Sequence, residues 1–321
     1  MSVSSYRKAF DTVPLEGNFS FGAQVIGLRQ ESLADRAVRK ALYDLWVDKG
    51  VLVFRGLSGA DLQIELSRVF GDLMEHVTRE ARSARRELAT AHYKPDQDSI
   101  WEVDGELRGN WLPWHTDTFY KESINRGGML RPIVLPSRSG LTGFIDKIAA
   151  YDALPDDLKR RIEGLEVIYK FNFDYDKQKF ATPHRVRPIR YSPGVLSIHA
   201  REAEFPRVLH PAVFTHKELG RKAFNVSPSM AIGIKGMENA EGDALLRRII
   251  GCGVDERRAY YHTWRTDDMV LWDNWRVLHS ATGGPADEER WLERTTIAGD
   301  YGCGRLENNA TMSEPTPSMD G

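Results

Sequence analysis

His115 and Asp117 stand two residues apart, and a third candidate ligand, His279, lies far downstream behind the aromatic segment Met269-Val270-Leu271-Trp272-Asp273-Asn274. Two imidazoles and one carboxylate can occupy one face of a metal ion and leave the opposite face open, the ligand set of non-heme Fe(II) oxygenases. On a strand, the side-chain period of two would put His115 and Asp117 on one face with their donor atoms converging. In a chain with 9 His an H-x-D pair arises easily by chance, so its meaning depends on context. The segment around His279 reads as a buried strand, a turn at Asp273-Asn274 and a second strand through Val277-Leu278, where a buried imidazole needs a partner. Arg290 and Arg294 follow, and they offer a site for a dicarboxylate co-substrate. A guanidinium fork holds a carboxylate through two parallel charge-assisted bonds, and Thr142 can add a hydroxyl donor to the same group.

Taken in order, the H-x-D pair, Thr142, the W-D-N segment leading to His279, and the R-x-x-x-R of Arg290 and Arg294 resemble the taurine dioxygenase family of Fe(II)- and 2-oxoglutarate-dependent dioxygenases. The match runs over most of the chain. Phe70-Gly71-Asp72-Leu73, Leu209-His210-Pro211 and Arg294-Thr295-Thr296-Ile297-Ala298-Gly299-Asp300 look like further landmarks. The resemblance implies a mainly β protein with flanking helices around a double-stranded β-helix, the cupin-like jelly roll. It implies iron on His115, Asp117 and His279. The far carboxylate of 2-oxoglutarate would lie on Arg290 and Thr142, and Arg294 would contact either the co-substrate or an anionic group of the prime substrate. His76 aligns with a substrate-touching position, although the usual following proline is Val77 here. The family asparagine lies four residues before the first histidine, where this chain has Trp111 with Asn110 one position earlier, so taurine is not carried over as substrate. Related halogenating enzymes put a small residue in place of the carboxylate, so Asp117 argues for oxygen chemistry.

The implied reaction uses O2 and 2-oxoglutarate to oxidise, by default hydroxylate, an unactivated C–H bond of a small anionic molecule, releasing succinate and CO2. Desaturation, ring closure and bond cleavage are reachable from the same chemistry. Two other uses of the ligands stay open at this level. A zinc-dependent hydrolase could place water at the open position, though no H-E-x-x-H helix is present and Thr142 and Arg290 would have no task. A cupin-like protein could bind a dicarboxylate without turnover.

The remaining composition narrows the partner. The formal net charge is −2, which gives no global field to recruit nucleic acid or a membrane, and 41% hydrophobic residues with 8 Trp suffice for a large core. A small molecule is therefore the expected partner, with a homo-oligomer left open. The first residues lack the apolar stretch of a signal peptide, and no apolar run approaches membrane-spanning length. Cys252 and Cys303 read as packing residues in a cytoplasmic protein with reduced thiols.

The elements that must position these residues follow from periodicity. Gly22 to Leu28 reads as a strand, Leu33 to Trp46 as a helix stopped by Gly50, and Val51 to Phe54 as a buried strand. Ser58 is a candidate N-cap for a helix through Phe70. Polar segments near 75–110 and 172–207 read as two irregular lids beside the site, and Tyr93, Lys94 and Trp101 of the first could line a pocket. Pro155 opens a charged helix, Glu241 to Ile250 forms another, and short strands recur elsewhere, among them 129–135, 140–146, 208–214, 269–272, 277–280 and 295–301. This is the pattern of a sandwich or barrel in one domain spanning 1–305, and 306–321 reads as a disordered tail.

Overall fold

The computed structural model describes residues 9–75, 83 and 85–308. Two mainly antiparallel sheets share one core. The larger runs in the order Asp11–Pro14, Ala23–Ile26, Val51–Arg55, Asp268–Asp273, Gly127–Val134, Arg290–Ile297 and Leu73–Met74, with Leu88–Tyr93 also paired to Arg290–Ile297. The smaller runs Val186–Arg190, Ile100–Val103, Glu106–His115, Val277–Pro285, Thr142–Asp146 and Tyr260–His262. Alternation decides which side chains enter the space between them. On Val51–Arg55, Val51 and Val53 join Trp272, Leu292, Phe144 and Val277 in the inter-sheet core. Leu52 and Phe54 point the other way, onto the helix Arg36–Lys49 through Leu42 and Trp46. That helix starts where Asp35 accepts from Ala37 N at 2.8 Å and stops at Gly50, whose φ of 74° suits a residue without a Cβ. A third cluster packs Ala240–Gly253 and Asp156–Ile162 against a four-stranded sheet beside the jelly roll.

Apart from the strand expected at 295–301, the late strands and the two named helices appear near where periodicity puts them, and the jelly-roll expectation holds. Four expectations are corrected. The helix expected from Ser58 to Phe70 is Ala60–Ser67, because the chain makes its left-handed turn at Gly59 (φ 98°), one residue after Ser58. The first segment is not irregular: Leu88–Tyr93 is an edge strand, and Ile100–Val103 and Glu106–His115 form a hairpin across Asp104 and Gly105. Positive φ at both turn residues, 51° and 89°, is the two-residue turn that Asp-Gly favours. The second segment contains the strand Val186–Arg190, paired to that hairpin, and the helix Pro193–Ala200 capped by Ser192. Leu306, expected in the tail, is buried in a short strand against Val208–Leu209; residues 309–321 lie outside the described residues.

His184 ties this second segment to the rest. Its Nδ1 lies 2.6 Å from Asp104 and its Nε2 3.4 Å from Glu256, which also accepts from the indole of Trp114. Glu256 first, against the cost of burial, and then Asp104 raise the imidazole from its ordinary 6.5 to about 9. A raised folded-state value means the stabilisation is complete below the ordinary value and fades as pH rises through about 9. The melting temperature of His184→Gln is therefore expected to lie below wild type in mildly acidic buffer and to converge on it once pH is well above that value. A gap that stays constant would contradict the assignment.

Candidate active site

His115 is the last residue of its strand and sits directly opposite His279 on the neighbouring strand. Between these partners and the next pair, Leu112 with Ala281, the register shifts, because Pro113 and Trp114 are accommodated as a bulge. The His115 Nδ1 donates to the Pro113 carbonyl at 2.8 Å, which turns Nε2 toward the inside. Asp117 is not on the strand as the period-of-two argument expected. It opens the turn that follows, with Thr118 at φ 56°. The ligands converge all the same: Asp117 Oδ1 lies 3.7 Å from His115 Nε2 and 3.5 Å from His279 Nε2, and all three donor atoms lie within 4.8 Å of one another.

Asn274, from the turn that joins the two sheets, brings Asp117 in. Its Oδ1 accepts from Asp117 N at 2.9 Å, and its Nδ2 donates to Asp117 O at 3.2 Å and Asn125 O at 3.0 Å. Lys147, fully buried and pulled down to about 7 by burial, donates to the carbonyl of Asn274 at 3.2 Å. One carboxamide thus grips both backbone groups of a candidate ligand. Asn274→Ala is expected to weaken Fe(II) binding roughly 10- to 100-fold, the usual effect of losing a group that orients a ligand. Competition against a metal indicator measures it, and unchanged affinity in a folded variant would remove this role.

The electrostatics suit a cation. Burial, and then the neighbouring His279, push His115 down to about 3, so its ring is neutral. Burial acts to raise the Asp117 carboxyl, but the Arg294 guanidinium and the two imidazoles outweigh it and hold it well below the usual carboxylate range. Neutral imidazole and ionised carboxylate are the forms that bind metal. The donor set therefore fits the divalent iron that the ligand types point to.

Arg290 and Arg294 lie on one strand, Arg290–Ile297, which begins earlier than the expected 295–301. Four residues apart, both reach the same cavity, along with Leu292 between them. Arg294 sits on Asp117 at 2.6 and 3.3 Å, its guanidinium 4.9 Å from the Trp272 ring centre. Arg290 is different: it is 3% exposed, donates from Nη2 to Gly140 O at 3.1 Å, and leaves its Nε without a partner. Among the described residues no carboxylate pairs with it, and burial alone pulls its guanidinium down to about 10. Thr142 Oγ1 accepts from the Trp264 indole at 3.1 Å, which leaves its own hydrogen free to donate.

The cavity holding these groups measures about 320 Å³. Part of its wall is aromatic: Tyr120 meets Phe171 edge-on (4.4 Å), Phe171 meets Phe173 (4.9 Å), and Phe173 meets Tyr175 (6.2 Å). These residues carried no signal in the sequence beyond being aromatic. Asn110 also lines the cavity, in a left-handed conformation (φ 55°) and with its Nδ2 buried and unpartnered, while Trp111 packs against Tyr175.

Tyr93, Lys94 and Trp101, the described pocket candidates of the first segment, do not line the cavity. Tyr93 is 2% exposed, donates to Ala286 O at 2.7 Å and fills the space left by Gly109, where a Cβ would stand 2.2 Å from its ring. Lys94 is exposed at a turn, its backbone N bonded to Asp98 at 2.7 Å. Trp101 packs on Tyr175 at 4.9 Å, one layer behind the wall. His76 lies outside the described residues.

A family model described as taurine catabolism dioxygenase TauD, TfdA family matches residues 11–296. The chain is 34% identical over 293 residues to the (S)-phenoxypropionate/alpha-ketoglutarate-dioxygenase of Sphingobium herbicidovorans, covering 91% of this chain and 96% of that one. It is 32% identical over 296 residues to the alpha-ketoglutarate-dependent 2,4-dichlorophenoxyacetate dioxygenase of Cupriavidus pinatubonensis, covering 89% and 97%. A taurine dioxygenase structure from Burkholderia xenovorans superposes with a TM-score of 0.69 at 20% identity, covering 94% of each chain, which speaks for the fold.

Proposed function

This chain belongs to the taurine catabolism dioxygenase TauD, TfdA family, a class of Fe(II)- and 2-oxoglutarate-dependent dioxygenases, and from that premise we propose which residues serve each part of the reaction and which substrate they take. Family membership sets aside the zinc hydrolase and the non-catalytic binder. His115, Asp117 and His279 would hold the iron, and Arg290 with Thr142 would hold the far carboxylate of 2-oxoglutarate. The observation that carries this reading is Arg290: a buried guanidinium with no counter-ion, facing the same cavity as a metal-ligand triad. A dicarboxylate bound at both ends would supply the missing charge. When bound, iron supplies with 2-oxoglutarate and O2 an oxidant able to break an unactivated C–H bond, leaving succinate and CO2.

The chain's own part is positioning and exclusion of water. Arg294 keeps Asp117 oriented and gives the metal side of the cavity the positive charge beside which a substrate anion would sit. The aromatic wall would take an apolar body. Those two demands, with relatives named for phenoxypropionate and 2,4-dichlorophenoxyacetate, support an aryloxyalkanoic acid oxidised at the carbon between its ether oxygen and its carboxylate. The unbridged Cys252 and Cys303 fit the cytoplasm as its location, and no helix among the described residues is long and apolar enough to cross a membrane.

Succinate release with 2-phenoxypropionate and with its methyl ester tests the substrate class. The acid is expected to couple about tenfold better or more, since an ester forfeits a charge-assisted contact. Equal coupling would mean that an apolar pocket without anion recognition is the better description.

A further inference from the structure

Several hydroxyls around the cavity already have partners within the protein. Ser227 Oγ donates to Ser229 O (3.3 Å), Ser229 Oγ to Gln178 (3.1 Å), and Thr118 Oγ1 to Asn125 (3.1 Å). The hydroxyl of Tyr120 has no hydrogen-bond partner among the described residues. Its ring is held edge-on against Phe171 at 4.4 Å and Phe205 at 6.3 Å, so the phenol is a fixed group of the wall. It belongs to the same turn as Asp117, three residues on. Burial, and then the charge of Asp117, raise its pKa above the ordinary tyrosine value, so it remains a hydrogen-bond donor throughout the working pH range. Tyr175, on the same wall, also lacks a hydroxyl partner, but it packs on Trp101 and Trp111 and lies on a different segment from the ligands. Tyr120 is the cavity phenol carried on the same turn as a candidate metal ligand.

We propose that Tyr120 is a specificity-determining residue that donates its phenolic hydrogen to an oxygen atom bonded to the carbon being oxidised, so that the enzyme selects ethers and sulfate esters over their all-carbon analogues. A donor held fixed in the cavity wall discriminates against a ligand that leaves it unpaired. The inference rests on the proposed anionic substrate and adds the group next to its reacting carbon. It also names the consequence of oxidation there. One oxygen atom of O2 enters the C–H bond to give a hemiketal, the other going into succinate as 2-oxoglutarate loses CO2. The hemiketal hydroxyl then loses its proton to solvent, the bond between the oxidised carbon and the aryloxy oxygen breaks, and the departing oxygen takes up a proton. The products are a phenol and a 2-oxo acid. A hydrogen bond from Tyr120 to that oxygen is kept from binding through departure.

The test compares wild type with Tyr120→Phe, which keeps the ring and its contacts, on two oxygen-for-carbon pairs: 2-phenoxypropionate with 2-methyl-3-phenylpropionate, and hexyl sulfate with heptane-1-sulfonate. Succinate and the organic product are measured for each. In wild type the oxygen-containing member is expected to show a kcat/KM about tenfold above its partner, and Tyr120→Phe to reduce that preference to about twofold or less without lowering turnover of the carbon analogue. A preference in either pair that survives in the variant overturns the proposal, as does equal turnover within both pairs in wild type. Turnover confined to the sulfate pair would defeat the aryloxyalkanoate reading while still reading out Tyr120. Failure to oxidise any oxygen-containing compound defeats both.

Discussion

Arg290→Met is expected to raise the 2-oxoglutarate concentration needed for half-maximal turnover by roughly 30-fold to several thousand-fold, the range for truncating one partner of a buried, hydrogen-bonded charge pair. The affinity for Fe(II) should change little, because among the described residues Arg290 is bonded to none of the three ligands and donates from Nη2 to the Gly140 carbonyl. Arg290→Lys should recover only part of the loss. A lysine carries the charge but not the planar fork, and its stem cannot place two donors where the guanidinium edge stands. Succinate release against 2-oxoglutarate concentration gives the first quantity, and metal competition the second. The control is Arg294→Met. That arginine lies on Asp117 at 2.6 Å, so its loss should weaken the metal site before it affects the co-substrate. Were Arg294→Met to raise the 2-oxoglutarate requirement more than Arg290→Met does, the two roles would be exchanged.

The second large effect is at the triad. Replacing His115, Asp117 or His279 with alanine should abolish stoichiometric iron binding and turnover, since each ligand supplies a third of the protein's share of the coordination shell. The fold should survive all three changes. Each side chain faces the cavity, and the strands that carry His115 and His279 are paired along their length with neighbours independent of the imidazoles. Asp117→Ala has a second consequence, because it strips Arg294 of its carboxylate and leaves a part-buried guanidinium unpaired, so its melting temperature should fall more than that of His115→Ala. Metal content after reconstitution, measured beside thermal melting, checks both statements. Turnover by Asp117→Ala comparable to wild type would remove the assignment.

How much of this was readable in the sequence depends on the range of the interactions involved. The ligand types and the arginines were legible because chemistry restricts them: few residue sets hold iron, and few groups grip a carboxylate at both oxygens. The geometry was legible only in part. His115 and Asp117 do converge, but through the grip of Asn274 on the Asp117 backbone, since the bulge at Pro113 and Trp114 ends the strand at His115. Asn274 was visible as part of a turn, yet a turn residue gives no hint of which distant backbone its carboxamide will hold.

The first segment was misjudged for a local reason. Its charged residues, Glu102, Asp104, Glu106 and Arg108, mask the alternation of the hairpin, although Asp104-Gly105 carried the turn signal. Tyr93 was misjudged for a non-local one: it is buried because Gly109, on a neighbouring strand, leaves room for its ring. The aromatic wall belongs to the same class. Tyr120 and Phe171 are far apart in sequence and look like any core aromatics until the fold sets them edge to face across the cavity.

The most direct test of the central claim is the metal and co-substrate dependence of a single reaction. Purified, metal-stripped protein in air is supplied with 2-phenoxypropionate and either Fe(II) or Zn(II), each with and without 2-oxoglutarate, and succinate and consumed acid are measured together. Succinate is expected to form only with Fe(II) and 2-oxoglutarate, and in equal amount to the acid consumed. Consumption of the acid with Zn(II), or without 2-oxoglutarate, would contradict the account and assign the same three ligands to hydrolysis.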